Sequence, residues 1–225
     1  MWRLVVVVTA IVVLGSACSE GLSAEEDLVQ RLERFGETAY TVTYEIEVVT
    51  EGESALRRSV LYSEGSSVRA DMETERGTLI LIGTEDERSM CQDYLDDGPA
   101  CFSYPAAGTW SASFALPTFQ WAIQSPEDFD IGEAEDVTVA GRPAKCFDYD
   151  YDPNPAAVKE LKICVSEDGL VLSGQAGDPD IDDSYWVRAL AINIEPSVPD
   201  AIFERPYDLH PDNDGIRCGT VDSGC

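Results

Sequence analysis

Residues 40–49, YTVTYEIEVV, alternate strictly. Val42, Tyr44, Ile46 and Val48 fall on one side, and Thr41, Thr43, Glu45 and Glu47 fall on the other. A period of two with one apolar side predicts a half-buried strand. SVRADME repeats the pattern, with Val68, Ala70 and Met72 opposed by Arg69, Asp71 and Glu73. TLILIG, residues 78–83, is apolar on both sides, so this strand must be central or covered. The segment SMCQDYLDDGPACFSY folds back around Asp97-Gly98. Further strands are expected at about 133–139, 143–151, 158–166, 170–176 and 185–195, with a hairpin at Asp168-Gly169. In the strand CFDYDYD, Phe147, Tyr149 and Tyr151 share one face, and Asp148, Asp150 and Asp152 share the other, where a solvent-facing row is expected in preference to a cation site.

Helical spacing occurs once near the start. Ser23 and Glu26 have the capping-box arrangement. Leu28, Val29, Leu32 and Phe35 then recur along one side until Gly36, which predicts a helix over 23–36. Residues 106–130 break the strand pattern. They hold Trp110, Phe114, Phe119, Trp121 and Phe129 between prolines, and read as an irregular or short helical cover for the sheet. After 207 the chain becomes polar and loop-like.

The first residues set an address. Arg3 precedes an apolar run of 11 residues, Leu4 to Leu14. A span of the hydrocarbon core needs about 20 residues, so the run reads as a signal segment. Gly15, Ser16 and Ala17 lead to Cys18, and the stretch resembles a bacterial lipobox, in which a thioether lipid is placed on the cysteine. Leu14 stands four residues before Cys18, where the usual pattern has it three before. The organisation expected is a signal peptide at 1–17, a lipidated tether at 18–22, one domain at 23–206 and an acidic tail at 207–225. The expected location is the extracytoplasmic side of the cell envelope, with a membrane anchor at Cys18.

The formal charge of −28 disfavours nucleic acid as a partner and describes an acidic, solvated surface. Apart from Cys18, six cysteines remain, an even number that suggests disulfides outside the cytoplasm. Pairing Cys146 with Cys164 across a hairpin also places Asp148 opposite Lys162 and Phe147 opposite Ile163. The same neighbour logic pairs Cys91 with Cys101 and Cys218 with Cys225. There is no GxSxG motif and one histidine, His210, so no catalytic residues are assigned and no enzyme is expected. No cofactor is expected, with one exception. In HPDNDGIRC, Asp212, Asp214 and Gly215 have the D-x-D-G spacing of a calcium loop. This tail resembles the end of an excalibur calcium-binding region, with His210 standing where a third aspartate belongs. A disulfide-closed acidic tail is the alternative.

The order of helix, long strands, EDGLVLSG, WVRALAINIE and VPDAIFERPY is similar to LolA-like lipoproteins of the LppX and LprG type. The resemblance covers about 23–207. It implies an α+β fold, a curved antiparallel half-barrel with helices in its mouth, and an acyl-chain or lipid ligand in the concave hollow. Val42, Tyr44, Ile46, Val48, Val68, Met72, Phe147, Tyr149 and Tyr151 are the expected lining. Two outcomes stay open: a hollow that takes a ligand, or a structural or sensory envelope protein whose own aromatics fill it. Oligomeric state is not legible.

Overall fold

The computed structural model describes residues 22–50, 53–95, 98–103, 116, 119–126, 129–150, 161–177 and 186–210. A ten-residue helix, α1 (Ala24–Glu33), is followed by β1 (Tyr40–Thr50), β2 (Glu53–Glu64), β3 (Ser67–Glu73), β4 (Thr78–Gly83), β5 (Arg88–Gln92) and β6 (Ala100–Ser103). A short helix, α2 (Gln120–Gln124), precedes β7 (Asp130–Val139), β8 (Arg142–Asp150), β9 (Leu161–Val165), β10 (Val171–Gly177) and β11 (Trp186–Glu195). The strands form one antiparallel sheet in the order β6-β5-β4-β3-β2-β1-β11-β10-β9-β8-β7. Only the β1–β11 junction joins strands distant in sequence. The two halves of the chain thus become the two halves of the sheet.

The sheet is strongly curved. β7 and β11 lie four strands apart in the order, which in a flat sheet is about 19 Å. Their Cα atoms nonetheless approach within 8 Å. The second half is therefore rolled, and α1 packs over it against β7 and β9. Ser23 caps α1 with both hydrogen bonds of the capping box, and Leu28 is fully buried. The helix ends at Glu33, three residues before the end expected from sequence. Asp27 anchors it to the sheet, accepting from Arg31 (2.8 Å) and from Lys145 of β8 (2.7 Å). The C-terminal turn of α1 rests on the β9–β10 hairpin, where Gly169 (φ +86°) allows it to seat. A Cβ there would lie 2.5 Å from the Arg31 carbonyl oxygen.

β2 is a strand that the apolar pattern does not announce. Its register places Arg57 opposite Ile46, Ser59 opposite Tyr44, Leu61 opposite Val42 and Ser63 opposite Tyr40. Three of these four inner positions are polar, so the alternation that marks its neighbours is lost.

The outer face has a small core of its own. Ile80, Ile82, Cys91 and Cys101 are buried there, with Tyr207 packed against them. This explains why TLILIG is apolar on both sides: the chain after β11 crosses back and covers the outer one. Arg69 Nη1 donates to the Ile202 carbonyl (2.8 Å), and Arg205 pairs with Glu87 (2.9 Å). Cys101 N–H donates to the Asp208 carbonyl (2.9 Å), and His210 N–H to the Cys101 carbonyl (2.8 Å). Residues 207–210, expected to begin the tail, thus dock along the edge of β6.

Candidate functional site

The inner face divides into two parts. Across the first half a row of six apolar residues runs from strand to strand in strict register: Val42, Leu61, Ala70, Leu81, Met90 and Phe102. Five interstrand steps make this row about 24 Å long. Val42, Leu61 and Ala70 are fully buried, whereas Leu81, Met90 and Phe102 are half-buried. A second row beside it holds Tyr44, Ser59, Met72 and Leu79.

The other half is filled, and the core that fills it extends to Val42, Leu61, Val68 and Ala70 of the first. β10 and β11 present small residues inward: Gly174 and Ala176, and Ala189 and Ala191. The buried side chains of Leu116, Phe119, Ala122 and Ile123 join the same core. Phe119 lies directly on Gly174, where a Cβ would meet its ring at 2.9 Å. Tyr149 donates to the Ala122 carbonyl (3.1 Å) and packs edge-on against Phe129. Tyr44 crosses the small residues of β11 to donate to the Val171 carbonyl (2.8 Å). Burial pushes the phenols of Tyr44 and Tyr149 far above their ordinary range, so both stay neutral hydrogen-bond donors.

Of the lining expected from sequence, Val42, Tyr44, Val68, Met72, Phe147 and Tyr149 are buried on the sheet, and Ile46 and Val48 are half-buried against the main core. Val42, Tyr44, Val68, Phe147 and Tyr149 belong to one core cluster, with Ile46 and Val48 packed against it. Leu61 and Ala70 belong to the same cluster, whereas Leu79, Leu81, Met90 and Phe102 lie beyond it and are half-buried. Leu61 was hidden by the broken pattern of β2, and Leu81 by a strand that is apolar on both faces.

Cys146 and Cys164 occupy facing positions and are disulfide-bonded, in the register that sets Asp148 opposite Lys162 and Phe147 opposite Ile163. Cys91 and Cys101 face each other on β5 and β6 and are also bonded. Asp148 is exposed and pairs with Lys162 at 3.3 Å. Cys18, Trp110, Phe114, Tyr151, Asp152, Asp212, Asp214, Cys218 and Cys225 lie outside the described residues. His210 is described, and its ring stacks on Phe102. Among the described residues no group of three or more His, Cys, Asp or Glu is arranged to hold a metal ion. No described helix is long and apolar enough to cross a membrane.

A polar network closes the end of the molecule near α1. The Asp168 carboxylate accepts from Tyr40, Arg142 and Ser166, and the Arg142 guanidinium lies over the Tyr40 ring. Partial burial raises the Asp168 pKa, but the three donors and the Arg142 charge outweigh it and hold the group below the ordinary carboxylate value. All its members are satisfied by one another, which identifies the network as a structural clasp between β1, β8 and the β9–β10 turn.

No protein-family profile and no curated sequence matches the chain. The excalibur resemblance of the tail therefore has no support from these comparisons. Solved structures do match. The complex of MucA and MucB from Pseudomonas aeruginosa aligns with a TM-score of 0.51 at 13% identity, over 81% of this chain and 60% of that one. The chain thus corresponds to well under two thirds of that neighbour. An uncharacterised conserved protein from Thermus thermophilus aligns at 0.47 and 12% identity, over 84% and 94% of the two chains. The LolA superfamily protein NE2245 from Nitrosomonas europaea aligns at 0.39 and 10% identity, over 82% and 99%. At such identities the likeness is one of architecture: the chain shares with the MucA–MucB structure the fold of an open, curved antiparallel half-barrel with a small helical cover.

Proposed function

We propose that this chain is a lipid-anchored envelope protein that holds an acyl-chain ligand against the inner face of β4–β6. The observation that carries the reading is the division of the inner face. The protein's own core buries that face from β8 to β3, Leu61 and Ala70 included. Beyond the core, Leu81, Met90 and Phe102 of β4–β6 continue the apolar row and remain half-buried. Apolar surface of this kind gains about 25 cal/mol for each Å² covered, and each methylene of a bound chain contributes about 0.8 kcal/mol. The surface is shaped for one flexible apolar chain lying across the strands. The apolar run Leu4 to Leu14, followed by small residues and Cys18, supports the anchor, and an anchored carrier on the extracytoplasmic side accounts for the disulfides as well.

Native mass spectrometry of protein purified without detergent tests the ligand. Co-purifying amphiphile is expected in the parent protein. It should be lost from Leu81→Trp, in which an indole occupies the centre of the row, with the thermal midpoint retained. Mass spectrometry of the mature N-terminus tests the anchor, and a diacylglyceryl or triacyl Cys18 is expected. A second reading is favoured by Phe119: the plugging of β8–β11 also suits an envelope protein with a self-filled core. A protein that carries no lipid and takes up no fluorescent acyl probe would support that reading and overturn the carrier.

A further inference from the structure

Arg57 projects from the inner face of a protein in which acidic residues outnumber basic ones by 43 to 15. Its Cα faces Ile46, and its inward neighbours along β2 are the buried Ser59 and Leu61. Leu61 itself is fully buried, and the half-buried apolar side chains of β4 on this face, Leu79 and Leu81, lie two strands or about 10 Å across the sheet. β3 ends at Glu73, so Arg57 stands at the rim, beside the turn that joins β3 to β4. Its described ion-pair partner is Glu75 of that turn, at 2.8 Å, with the guanidinium side chain 37% and the carboxylate 82% exposed. An ion pair this open contributes little to stability and is readily exchanged. Among the strand positions described on the inner face of β1–β6, one other cation occurs, Arg88. It lies opposite Gly83 at the far end of the strands and is engaged in a contact of its own.

We infer that Arg57 receives the anionic headgroup, phosphate or carboxylate, of an acyl amphiphile whose chain lies on Leu79, Leu81 and Met90. The inference rests on the carrier reading above and specifies its ligand. Glu75 then acts as a stand-in anion that the headgroup displaces. A guanidinium suits this task because its planar array of donors matches a carboxylate or phosphate with two parallel hydrogen bonds. The overall charge of the chain repels anions, so a preference for an anionic ligand requires a local cation of this kind.

Titration calorimetry with two probes of equal chain length, dodecyl phosphate and 1-monododecanoylglycerol, separates headgroup from chain. The parent protein should bind the phosphate more tightly. Arg57→Gln should weaken the phosphate about tenfold, a charged hydrogen-bonded contact at a half-exposed site, and leave the neutral probe within about twofold. Glu75→Gln should strengthen the phosphate, a change in the opposite sense that loss of local structure would not produce. Dodecanoate should follow the phosphate if charge rather than phosphate geometry is recognised; a response to phosphate alone would narrow the headgroup and still support the role of Arg57. If Arg57→Gln weakens both probes equally or neither, or if the loss follows Arg88→Gln instead, the assignment to Arg57 is overturned while the apolar site stands. If the parent protein binds neither probe, the carrier reading fails, and this inference fails with it.

Discussion

Replacing Gly174 by alanine adds one methyl group to the inner face of β10. Gly174 has no left-handed backbone, so the strand itself tolerates alanine, and the loss of chain freedom in the unfolded state would stabilise the fold by about 0.4–1 kcal/mol. The obstacle is Phe119. The added carbon would sit 2.9 Å from Cζ and 3.0 Å from both Cε atoms of a ring that is 1% exposed. Overpacking of this kind costs about 1–3 kcal/mol, so the net destabilisation expected is about 0.5–2 kcal/mol. Phe119→Leu removes the ring atoms that collide. In that background Gly174→Ala should be neutral or stabilising, giving a coupling of about 1–2 kcal/mol between the two sites. Urea unfolding followed by circular dichroism measures all four corners of the cycle. Each kcal/mol should also move the thermal midpoint by about 2–4 °C for a domain of this size. Additive effects would refute the claim that Phe119 plugs this half of the sheet by resting on Gly174.

Asp168 should make stability depend on acid. Its folded pKa is lowered, so its contribution is present above the unfolded value near 3.9 and is lost as pH falls through the lower folded value. Asp168→Asn should flatten the pH dependence of the urea midpoint below about pH 4 and cost about 1–3 kcal/mol at neutral pH, because Tyr40, Arg142 and Ser166 lose a charged acceptor. Replacing Cys146 and Cys164 together by alanine frees a loop of 18 residues and should destabilise the protein by about 3 kcal/mol on the chain-entropy account, read from the shift in urea midpoint against the parent. An unchanged midpoint would show that the β8–β9 register holds without the bond.

The strands that sequence reveals are those with one apolar and one polar side. β1, β3 and β8 are of that kind, and their register could be reasoned down to the pairing of Cys146 with Cys164. β2 escapes because its inner side mixes Arg57, Ser59, Leu61 and Ser63, while Leu56, Val60 and Tyr62 lie on the outer side, so the apolar residues do not mark the inner one. The crossing of residues 199–210 over the outer face escapes for another reason. It has no regular period, and its sign was indirect, in a β4 that is apolar on both sides and needs a cover for each. Whether the hollow would be open or filled was undecided because aromatic residues in a cover segment do not say where they insert. The small residues Gly174, Ala189 and Ala191 on adjoining strands were the available signal. Space left on an inner face by small side chains must be taken by something large, and here Phe119 and Tyr44 take it.

On the carrier reading, that arrangement separates the part of the protein that holds the fold from the part that would meet a ligand. The rolled half has α1 above it, the Phe119 plug within it and the Cys146–Cys164 bond across two of its strands. At the opposite end, β5 and β6 are joined by Cys91–Cys101 and backed on the outer face by Tyr207 and the crossing chain. Both ends are therefore secured by contacts made away from Leu79, Leu81 and Met90, which folding leaves half-buried. A ligand binding there need not order the strands beneath it. The polar inner positions of β2 fit the same division. Arg57 weakens β2 as a core strand, and on the carrier reading it stands at the sheet rim where a charged group would have a use.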